Sequence, residues 1–384
     1  MKEWKKYKLG EILTVKYGKD HKKLDAGSIP VYGSGGLMRF VNSYICDSPS
    51  ILIPRKGSLN NVMYVEHPFW TVDTMFWTII DTTIAVPRFV YYAICKIDFE
   101  SLNVGSAVPS MTVPIIEDIE IFLPSLDEQK RIVKVLSSLE SKIELNRQIN
   151  DNLEQQAKAL YKSWFVDFEP FKEGKFIESE LGVIPEGWSI GKIEDLTTRM
   201  ASGGTPKSMN PDFYSGDICW FTTKELTDGF LIDSEKHISQ SAIENSAAKV
   251  FPKGSVLMAI YAAPTVGRLG ILSCDAAFNQ AAVALIPKTG IGPGYIYLTL
   301  YNERNNFNNL SSGAAQQNLN VGLVRNYPTC IPPQDVLADF ENKILPIFNN
   351  IERNQIEIST LTTLRDTLLP KLMSGELKIN EIDC

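Results

Sequence analysis

An internal repeat constrains the fold of this chain more than any other feature of its sequence. A tryptophan followed by a lysine, an aliphatic residue and an acidic residue occurs at Trp4 and again, with the same internal spacing, at Trp188. Further along, Gly105 and the residues after it match Gly313 and its successors at a constant offset of 208 residues. The chain therefore contains two copies of one structural arrangement, and its 384 residues suffice for two domains of roughly 100 to 200 residues each.

Each copy ends in a segment with the heptad pattern of a coiled coil. Apolar and amide residues alternate spacings of four and three from Ile132 to Trp164, and again in the same phase from Phe340 to Leu372, where Arg365 is the one charged member. Ser125 followed by Glu128 forms a capping box that begins the first helix, and Gly375 lies where the second is expected to end. The sequence therefore predicts two long helices, one after each globular part.

The two heptad seams also predict how the helices pair. Asn146 and Asn354 occupy equivalent seam positions, where a buried amide penalises alternative registers. We predict an antiparallel pair in which these two asparagines face each other. Pro346 and Pro370 predict kinks in the second helix, because each removes a backbone donor. The alternative interpretation is that each helix is simply buried in its own domain.

The segments outside the long helices are rich in short β-type runs bounded by Gly, Pro, Asn and Asp. We align Lys56–Ser58 with Lys253–Ser255 as equivalent turns at strand edges. The expected fold is mixed α/β (α+β), with two pseudo-repeated globular domains separated by two long antiparallel coiled-coil helices. The predicted ranges are a first domain at 1–124, a spacer helix at 125–166, a linker at 167–187, a second domain at 188–332, a C-terminal spacer helix at 333–375 and a tail at 376–384.

Charge and composition limit the functional classes. Thirty-eight basic against 45 acidic residues give a net charge of −7, which argues weakly against a stand-alone nucleic-acid binder. The segment from Met1 to Lys23 is locally basic, with eight lysines. Neither a membrane-length apolar run nor a secretory signal is visible, so we expect a cytoplasmic protein. Six cysteines and three histidines are too scattered in sequence to predict a metal site.

Sequence motifs for catalysis are weak. The string NPDFY at Asn210–Tyr214 is similar to the Asn-Pro-Pro-aromatic motif of adenine methyltransferases, but an aspartate replaces the second proline and a turn is the simpler interpretation. Glu140–Lys142 and Glu376–Lys378 match part of a nuclease string, but they lie in or after the helices. Phosphate-binding and nucleophile-elbow motifs do not occur. We predict a chain without catalytic residues, against the alternative of a self-contained methyltransferase or nuclease.

Several motifs and their order resemble those of the specificity subunit of type I restriction-modification systems. They are PSLDEQKRIV at the first helix start, the junction from Ser163 to Trp188, SGGTP at Ser202–Pro206, and TLLPKLMSGELKI near the C-terminus. The resemblance covers essentially the whole chain. It implies two target-recognition domains that each read one half of a bipartite, asymmetric DNA site, with the helices fixing the distance between the halves.

The same resemblance implies the partners. Two modification (methyltransferase) subunits would clasp the helices and carry S-adenosylmethionine, and restriction motor-nuclease subunits that use ATP and Mg would join for cleavage. The chain itself is expected to hold no cofactor. Two alternatives remain open: a silent or swapped specificity allele, and a coiled-coil scaffold whose globular parts bind protein or glycan.

Residues for DNA contact are predicted from their chemistry. Lysine, arginine and turn amides suit phosphates, whereas glutamine and asparagine suit bidentate contact with adenine. The candidates in the first domain are Lys16, Lys19, His21, Lys22, Lys23, Tyr32, Gly33, Ser34, Gly35, Gly36, Arg55 and Lys56. Those in the second are Ser202, Gly203, Gly204, Thr205, Lys207, Thr222, Thr223, Lys224, Gln280, Gln316, Gln317 and Asn318. The alternative for each is a solvated surface or a turn.

Overall fold

The computed structural model describes residues 4–105, 107–261, 265–312 and 318–379. The described residues of Met1–Lys142 and Leu361–Cys384 form one compact unit, unit 1, and those of Ile143–Thr360 form the other, unit 2. Both unit boundaries fall inside long helices. The predicted domain ranges follow the sequence repeat instead and remain a prediction.

Unit 1 combines short strands with three short helices that precede the first long helix. The strands are β1 (Lys5–Lys8), β2 (Leu13–Tyr17), β3 (Ile29–Gly33), β4 (Gly36–Val41), β5 (Ser50–Pro54), β6 (Met63–Val65), β7 (Trp70–Thr71), β8 (Met75–Ile80) and β9 (Glu120–Leu123). The helices are α1 (Leu9–Ile12), α2 (Pro87–Ile94), α3 (Val113–Glu117) and the long α4 (Leu126–Phe165), whose C-terminal part belongs to unit 2.

These strands form two sheets and a ribbon. One sheet is antiparallel with the order β2-β8-β5-β6, and the other has the order β4-β3-β7 with β3 and β7 parallel. Strand β5 is buried at every position and lies between two apolar cores of unit 1. Ile51 and Ile53 belong to the larger core, and Leu52 between them belongs to the smaller one. This alternation follows from the two-residue period of a strand that is covered on both faces. Strands β1 and β9 pair separately.

Unit 2 repeats this arrangement with longer connections. Its strands are β10 (Phe176–Ser179), β11 (Gly182–Pro185), β12 (Ser189–Lys192), β13 (Thr197–Ser202), β14 (Ile218–Phe221), β15 (Gly229–Leu231), β16 (His237–Ile238), β17 (Val256–Ala259), β18 (Leu269–Leu272), β19 (Ala277–Phe278), β20 (Ala282–Pro287) and β21 (Pro328–Ile331). Its helices are α5 (Gln240–Asn245), α6 (Pro293–Asn302), α7 (Arg304–Ser312), α8 (Val321–Arg325) and the long α9 (Gln334–Met373), whose C-terminal part belongs to unit 1.

The sheets of unit 2 have the same connectivity as those of unit 1. The order β13-β20-β17-β18 corresponds to β2-β8-β5-β6, with β15 added at the edge. The order β16-β14-β19 corresponds to β4-β3-β7, and β14 pairs in parallel with β19 as β3 does with β7. The mixed α/β fold with two repeated globular parts is thus confirmed.

One detail of the sequence alignment is wrong. In the paired strands, Pro54 lies opposite Met75, and Ala259 lies opposite Ala282 at the equivalent point of β17. Lys56–Ser58 therefore follows the strand, whereas Lys253–Ser255 precedes its counterpart. The three matching letters are a coincidence of composition, because turns at both ends of a strand favour glycine and serine.

The long helices α4 and α9 each contain 40 residues. At about 1.5 Å per residue each is about 60 Å long. Helix α9 continues through Pro346 and Pro370, so neither proline ends it. In unit 1 the helix residues Ile132 and Leu372 belong to the same apolar core.

Within unit 2 the helices pair antiparallel, but the predicted facing of Asn146 and Asn354 is wrong. Asn354 Nδ2 donates to Asn150 Oδ1 at 2.9 Å, and Asn146 Nδ2 donates instead to Glu357 Oε2 at 2.8 Å. The register is shifted by four residues, which is about one helical turn. A heptad pattern presents nearly the same apolar face after such a shift, so the pattern alone does not distinguish the two registers.

Candidate nucleic-acid interface

The chain passes very close to strand β7 directly after β2 in unit 1. A Cβ atom at Gly18 would lie 2.0 Å from the carbonyl oxygen of Val72, so a larger residue does not fit without movement of the backbone. The amide of Lys19 donates to the carbonyl oxygen of Thr71 at 2.8 Å. Trp70 Nε1 donates in turn to the carbonyl oxygen of Lys19 at 2.9 Å. The start of the predicted lysine-rich segment is therefore fixed beside β7.

The turn between β3 and β4 carries the predicted segment Tyr32–Gly36 and contacts a neighbouring turn. Asn61 Nδ2 donates to the carbonyl oxygen of Ser34 at 2.8 Å. A Cβ atom at Gly57 would lie 2.9 Å from Ser34 Oγ. The structure therefore brings Tyr32–Gly36 together with the turn Arg55–Gly57. We call Lys16–Lys23, Tyr32–Gly36 and Arg55–Gly57 together the unit 1 face.

Arg55 is held by contacts with the protein. Its Nη1 donates to the carbonyl oxygen of Asp73 at 3.1 Å, and its guanidinium carbon lies 5.4 Å from the centre of the Tyr17 ring. The Tyr17 residue is 54% exposed, so the pair presents a cation and an aromatic ring to solvent. The sequence-based prediction missed Tyr17, because one exposed tyrosine at a strand end carries no pattern.

The other predicted residues of this face differ in their availability. The exposed lysines are Lys16, Lys19, Lys22, Lys23 and Lys56. His21 is half-buried, and its Nδ1 has no hydrogen-bond partner within the described part of the chain. The Tyr32 hydroxyl lies 3.4 Å from His67 Nε2. The backbone amide of Lys22 donates to Asp20, and this bond holds the pKa of the Asp20 carboxyl below its usual value.

The motif SGGTP in unit 2 makes the same close passage. A Cβ atom at Gly203 would lie 2.1 Å from the carbonyl oxygen of Phe278, and one at Gly204 would lie 2.2 Å from that of Ala247. The amide of Gly204 donates to the carbonyl oxygen of Phe278 at 2.9 Å. Trp220 Nε1 donates to the carbonyl oxygen of Gly204 at 3.0 Å. Both glycines are thus required by the nearby backbone.

Three predicted segments of unit 2 meet beside this passage. Thr205 Oγ1 is hydrogen-bonded to Gln280 Oε1. The amide of Asn279 donates to the carbonyl oxygen of Phe221 at 2.9 Å, which places Gln280 near the turn that begins at Thr222. That turn is closed by Glu225 Oε2, which accepts from the amide of Thr222 at 2.7 Å and from its hydroxyl at 2.8 Å.

Asn318 approaches the same edge. Its neighbour Leu319 donates from its amide to the carbonyl oxygen of Ile260 at 2.8 Å, and the amide of Ile260 donates to that of Ala281 at 2.8 Å. We call Ser202–Lys207, Thr222–Lys224, Gln280 and Asn318 together the unit 2 face. Lys207 and Lys224 are exposed and Thr223 is half-buried. The predicted residues Gln316 and Gln317 lie outside the described residues.

The two faces have the same backbone frame. The backbone amide of Arg55 donates to the carbonyl oxygen of Thr74, just as the amide of Ile260 donates to that of Ala281. The carbonyl oxygen of Arg55 accepts from the amide of Met111, just as that of Ile260 accepts from the amide of Leu319. Counting from these bonds, and from the matching bonds that join the other segments to β7 in unit 1 and to β19 in unit 2, pairs the faces position by position. The pairs are Gly18 with Gly203, Lys19 with Gly204, Tyr32 with Phe221, Arg55 with Ile260, Asp73 with Gln280, and Ser110 with Asn318. The backbone is repeated, and all but the first pair differ in side chain.

Comparison with known proteins assigns the chain to a family. The family model described as the type I restriction modification DNA specificity domain matches residues 1–155 and 185–366. The chain belongs to this family. The two matched segments correspond to the two copies of the repeat, and each includes one of the two faces.

Individual members of this specificity family are similar over most of the chain. The MjaIX specificity subunit of Methanocaldococcus jannaschii is 28% identical over 87% of this chain and 78% of its own length. The HindI specificity subunit of Haemophilus influenzae is 26% identical over 70% of this chain and 71% of its own length. The crystal structure of a type I S subunit from M. genitalium has the same fold, with a TM-score of 0.66 at 17% identity over 96% of each chain.

The methyltransferase-like string at Asn210–Tyr214 has a structural explanation in this specificity-family chain. Asn210–Tyr214 forms a 3₁₀ turn in which the Asn210 side chain accepts from the amide of Asp212 at 3.2 Å, so the turn interpretation is confirmed. The Tyr214 hydroxyl donates to the carbonyl oxygen of Pro206 at 2.9 Å. No helix in the described ranges is long and apolar enough to cross a membrane.

The fold also gathers residues that the sequence keeps apart. Cys219, Asp233 and His237 place one potential metal-ligating atom each within 4.8 Å of one another. Sequence spacing predicted no metal site, because the three residues come from a strand, a loop and a second strand. The pairing of β14 with β16 sets Cys219 directly opposite His237.

Proposed function

We propose that this chain is the DNA sequence-specificity subunit of a type I restriction-modification enzyme, and that each face reads one half of a bipartite, asymmetric DNA site. The observation that carries the proposal is the repeated backbone frame with different side chains at equivalent positions. A common frame docks on DNA in the same way in both units, and different side chains then recognise different bases. Membership of the specificity family supports the same function.

The side chains of the two faces suit different tasks in this function. Exposed lysines from Lys16 to Lys56 suit phosphate contacts in unit 1. Gln280 and Asn318 in unit 2 carry amides, which pair with adenine in the major groove. Their counterparts Asp73 and Ser110 present a carboxylate, which accepts from the amino group of cytosine, and a hydroxyl. The two halves of the target should therefore differ in sequence.

The long helices are proposed to set the distance between the half-sites and to dock two modification subunits. Leu145 and Ile149 lie one helical turn apart on α4 and are 51% and 38% exposed. Ile356 on α9 is 43% exposed. Exposed apolar residues along a helix of this length suit burial by another protein. The net charge of −7 fits this arrangement, because partner subunits would supply further phosphate contacts.

We further propose that the chain has no catalytic role of its own. S-adenosylmethionine and adenine methylation would belong to the modification subunits, and ATP, Mg and cleavage to the restriction motor-nuclease subunits. The turn structure of Asn210–Tyr214 supports this division, because the Asn210 side chain is occupied by the turn. A cytoplasmic location follows from the same proposal, since the target is cellular DNA.

The test is a genome-wide map of methylated adenines in a methylation-free host that expresses this chain with its neighbouring modification subunit. A two-part motif with a fixed gap is the expected result. Absence of new methylation from an assembled, cofactor-loaded complex would contradict the proposal. It would favour a silent allele if the complex still binds DNA in a salt-dependent manner, and a protein-binding scaffold if it does not.

A further inference from the structure

A group of unlike metal-ligating side chains lies beside the unit 2 face. Cys219 Sγ is 3.6 Å from Asp233 Oδ1 and 3.6 Å from His237 Nε2, and the Asp233 and His237 atoms are 2.9 Å apart. A thiol, a carboxylate and an imidazole therefore converge on one point. Cys219 is half-buried, and the Asp233 and His237 side chains are 67% and 34% exposed, so an ion could reach them from solvent.

The distances match those between the ligands of a tetrahedral zinc ion. Zinc binds sulfur at about 2.3 Å and nitrogen or oxygen at about 2.0 Å, which places a sulfur about 3.5 Å from a nitrogen or oxygen ligand. Both distances from Cys219 Sγ agree with that value within about 0.1 Å. The distance from Asp233 to His237 is that of a hydrogen bond and needs to lengthen by about 0.4 Å.

We propose that Cys219, Asp233 and His237 bind a structural zinc ion in unit 2. This donor set favours zinc over magnesium or calcium, because those ions prefer ligands that are all oxygen. Water would fill the fourth position of the tetrahedron, because the site is open to solvent. The expectation from sequence that this chain holds no metal would then be wrong.

The equivalent place in unit 1 has no such ligands. Cys219 pairs with His237 in the sheet of unit 2, and the corresponding pair in unit 1 is Pro30 with Phe40. Neither proline nor phenylalanine ligates a metal. Among the described residues, this ligand pair therefore occurs in the second copy and is not part of the frame that the two copies share.

The position of the ion indicates its role. Cys219 lies three residues before Thr222, where the turn Thr222–Lys224 of the unit 2 face begins. An ion held by strand β14, strand β16 and the loop before β16 would fix the strand that carries this turn. The zinc site itself does not depend on the proposed function, whereas this link to DNA reading does.

Metal content provides the test. The untagged full-length chain, with its modification partners where these are needed for solubility, is stripped with a chelator, incubated with zinc, desalted and analysed by mass spectrometry. We expect one tightly bound zinc per chain, lost in Cys219→Ser and in His237→Gln and retained in Cys330→Ser, a matched half-buried free cysteine on β21. Cobalt bound to the wild-type chain should show the absorption of tetrahedral thiolate coordination.

Absence of stoichiometric zinc from the wild-type chain would overturn the proposal. Equal zinc content in Cys219→Ser and Cys330→Ser would do the same. Because a ligand variant that fails to fold would also lose zinc, the melting temperature is measured with and without chelator. The chelator should lower it in the wild type and leave it unchanged in a folded His237→Gln variant. None of these measurements involves DNA, so they distinguish failure of the zinc site from failure of the proposed function.

Discussion

Gly18 and Gly203 are structural counterparts, and at each a Cβ atom would lie within 2.1 Å of a carbonyl oxygen, that of Val72 directly after β7 for Gly18 and that of Phe278 in β19 for Gly203. Each residue lies near the start of the first segment of its unit's face. The same close passage in both copies explains why glycine stands there in two otherwise different segments. It also shows that the backbone frame, more than the side chains, is what the repeat preserves.

Gly18→Ala should destabilise unit 1 by about 1–3 kcal/mol, because the added methyl group has to displace the backbone of β7. Gly35→Ala is the matched control in the same unit, since a Cβ atom there meets nothing within 4 Å. The control should change the free energy of unfolding by less than about 0.5 kcal/mol. Urea unfolding followed by circular dichroism measures both, and equal effects would contradict the close-passage argument.

The contact between Asn150 and Asn354 predicts a specific energetic coupling. Asn150→Ala leaves the buried Asn354 amide without its acceptor and should cost about 1–3 kcal/mol. The double variant Asn150→Leu/Asn354→Leu should be less destabilised than the sum of its single variants. Double-mutant cycles measure the coupling energy of Asn150 with Asn354 and compare it with that of Asn146 with Asn354. Stronger coupling in the second pair would restore the register predicted from the heptads.

Glu341 predicts a pH-dependent gain in stability. Its side chain packs against Gly292 at the start of α6, Oε2 has no hydrogen-bond partner in the described ranges, and burial raises the pKa of the carboxyl. The folded pKa thus lies above the unfolded one, so ionised Glu341 destabilises the fold at neutral pH. Glu341→Gln should raise the melting temperature there.

The gain from Glu341→Gln should shrink as the pH falls through the folded pKa of Glu341, and it should vanish where the carboxyl is protonated in both states. Asp339→Asn, an exposed acid on the same helix, is the matched control and should have little effect. A gain that is the same at acidic and neutral pH would show that burial of the charge is not the cause.

The exposed residues Leu145 and Ile149 predict a docking surface for a modification subunit on α4. Leu145→Lys/Ile149→Lys should weaken binding of that subunit at least about tenfold, because two charges would be buried at the interface. Gln155→Lys, also exposed on α4, adds the same charge elsewhere and serves as control. Co-purification and calorimetry provide the measurement. Unchanged affinity in the double variant would move the docking surface away from these residues.

The sequence predicted the features that depend on local patterns. The capping residue Ser125 and the heptad spacing place the long helices, and the motifs at Trp4 and Trp188 locate the two copies. The sequence did not predict the register of the helix pair or the proximity of Cys219 to His237. It also misaligned Lys56–Ser58 with Lys253–Ser255. Each of these depends on which strands or helix turns pair across long separations, and several pairings satisfy the same local pattern.

The same distinction holds for the faces. Glycine, lysine and amide chemistry pointed to segments that the structure brings together, such as Thr205 with Gln280. Chemistry alone did not show that Arg55 is held against Tyr17, or that Asp73 and Gln280 are counterparts. These relationships emerge only from the hydrogen bonds of the shared backbone frame.

The central claim is that each face reads its own half of the target, and the most direct measurement changes one face alone. Thr205→Ala/Gln280→Ala is expressed with the modification subunit, and methylated adenines are mapped across the genome beside the wild type. We expect one half of the motif to become degenerate, while the other half and the gap between them stay unchanged. Degeneracy in both halves, or an unchanged motif, would contradict the account.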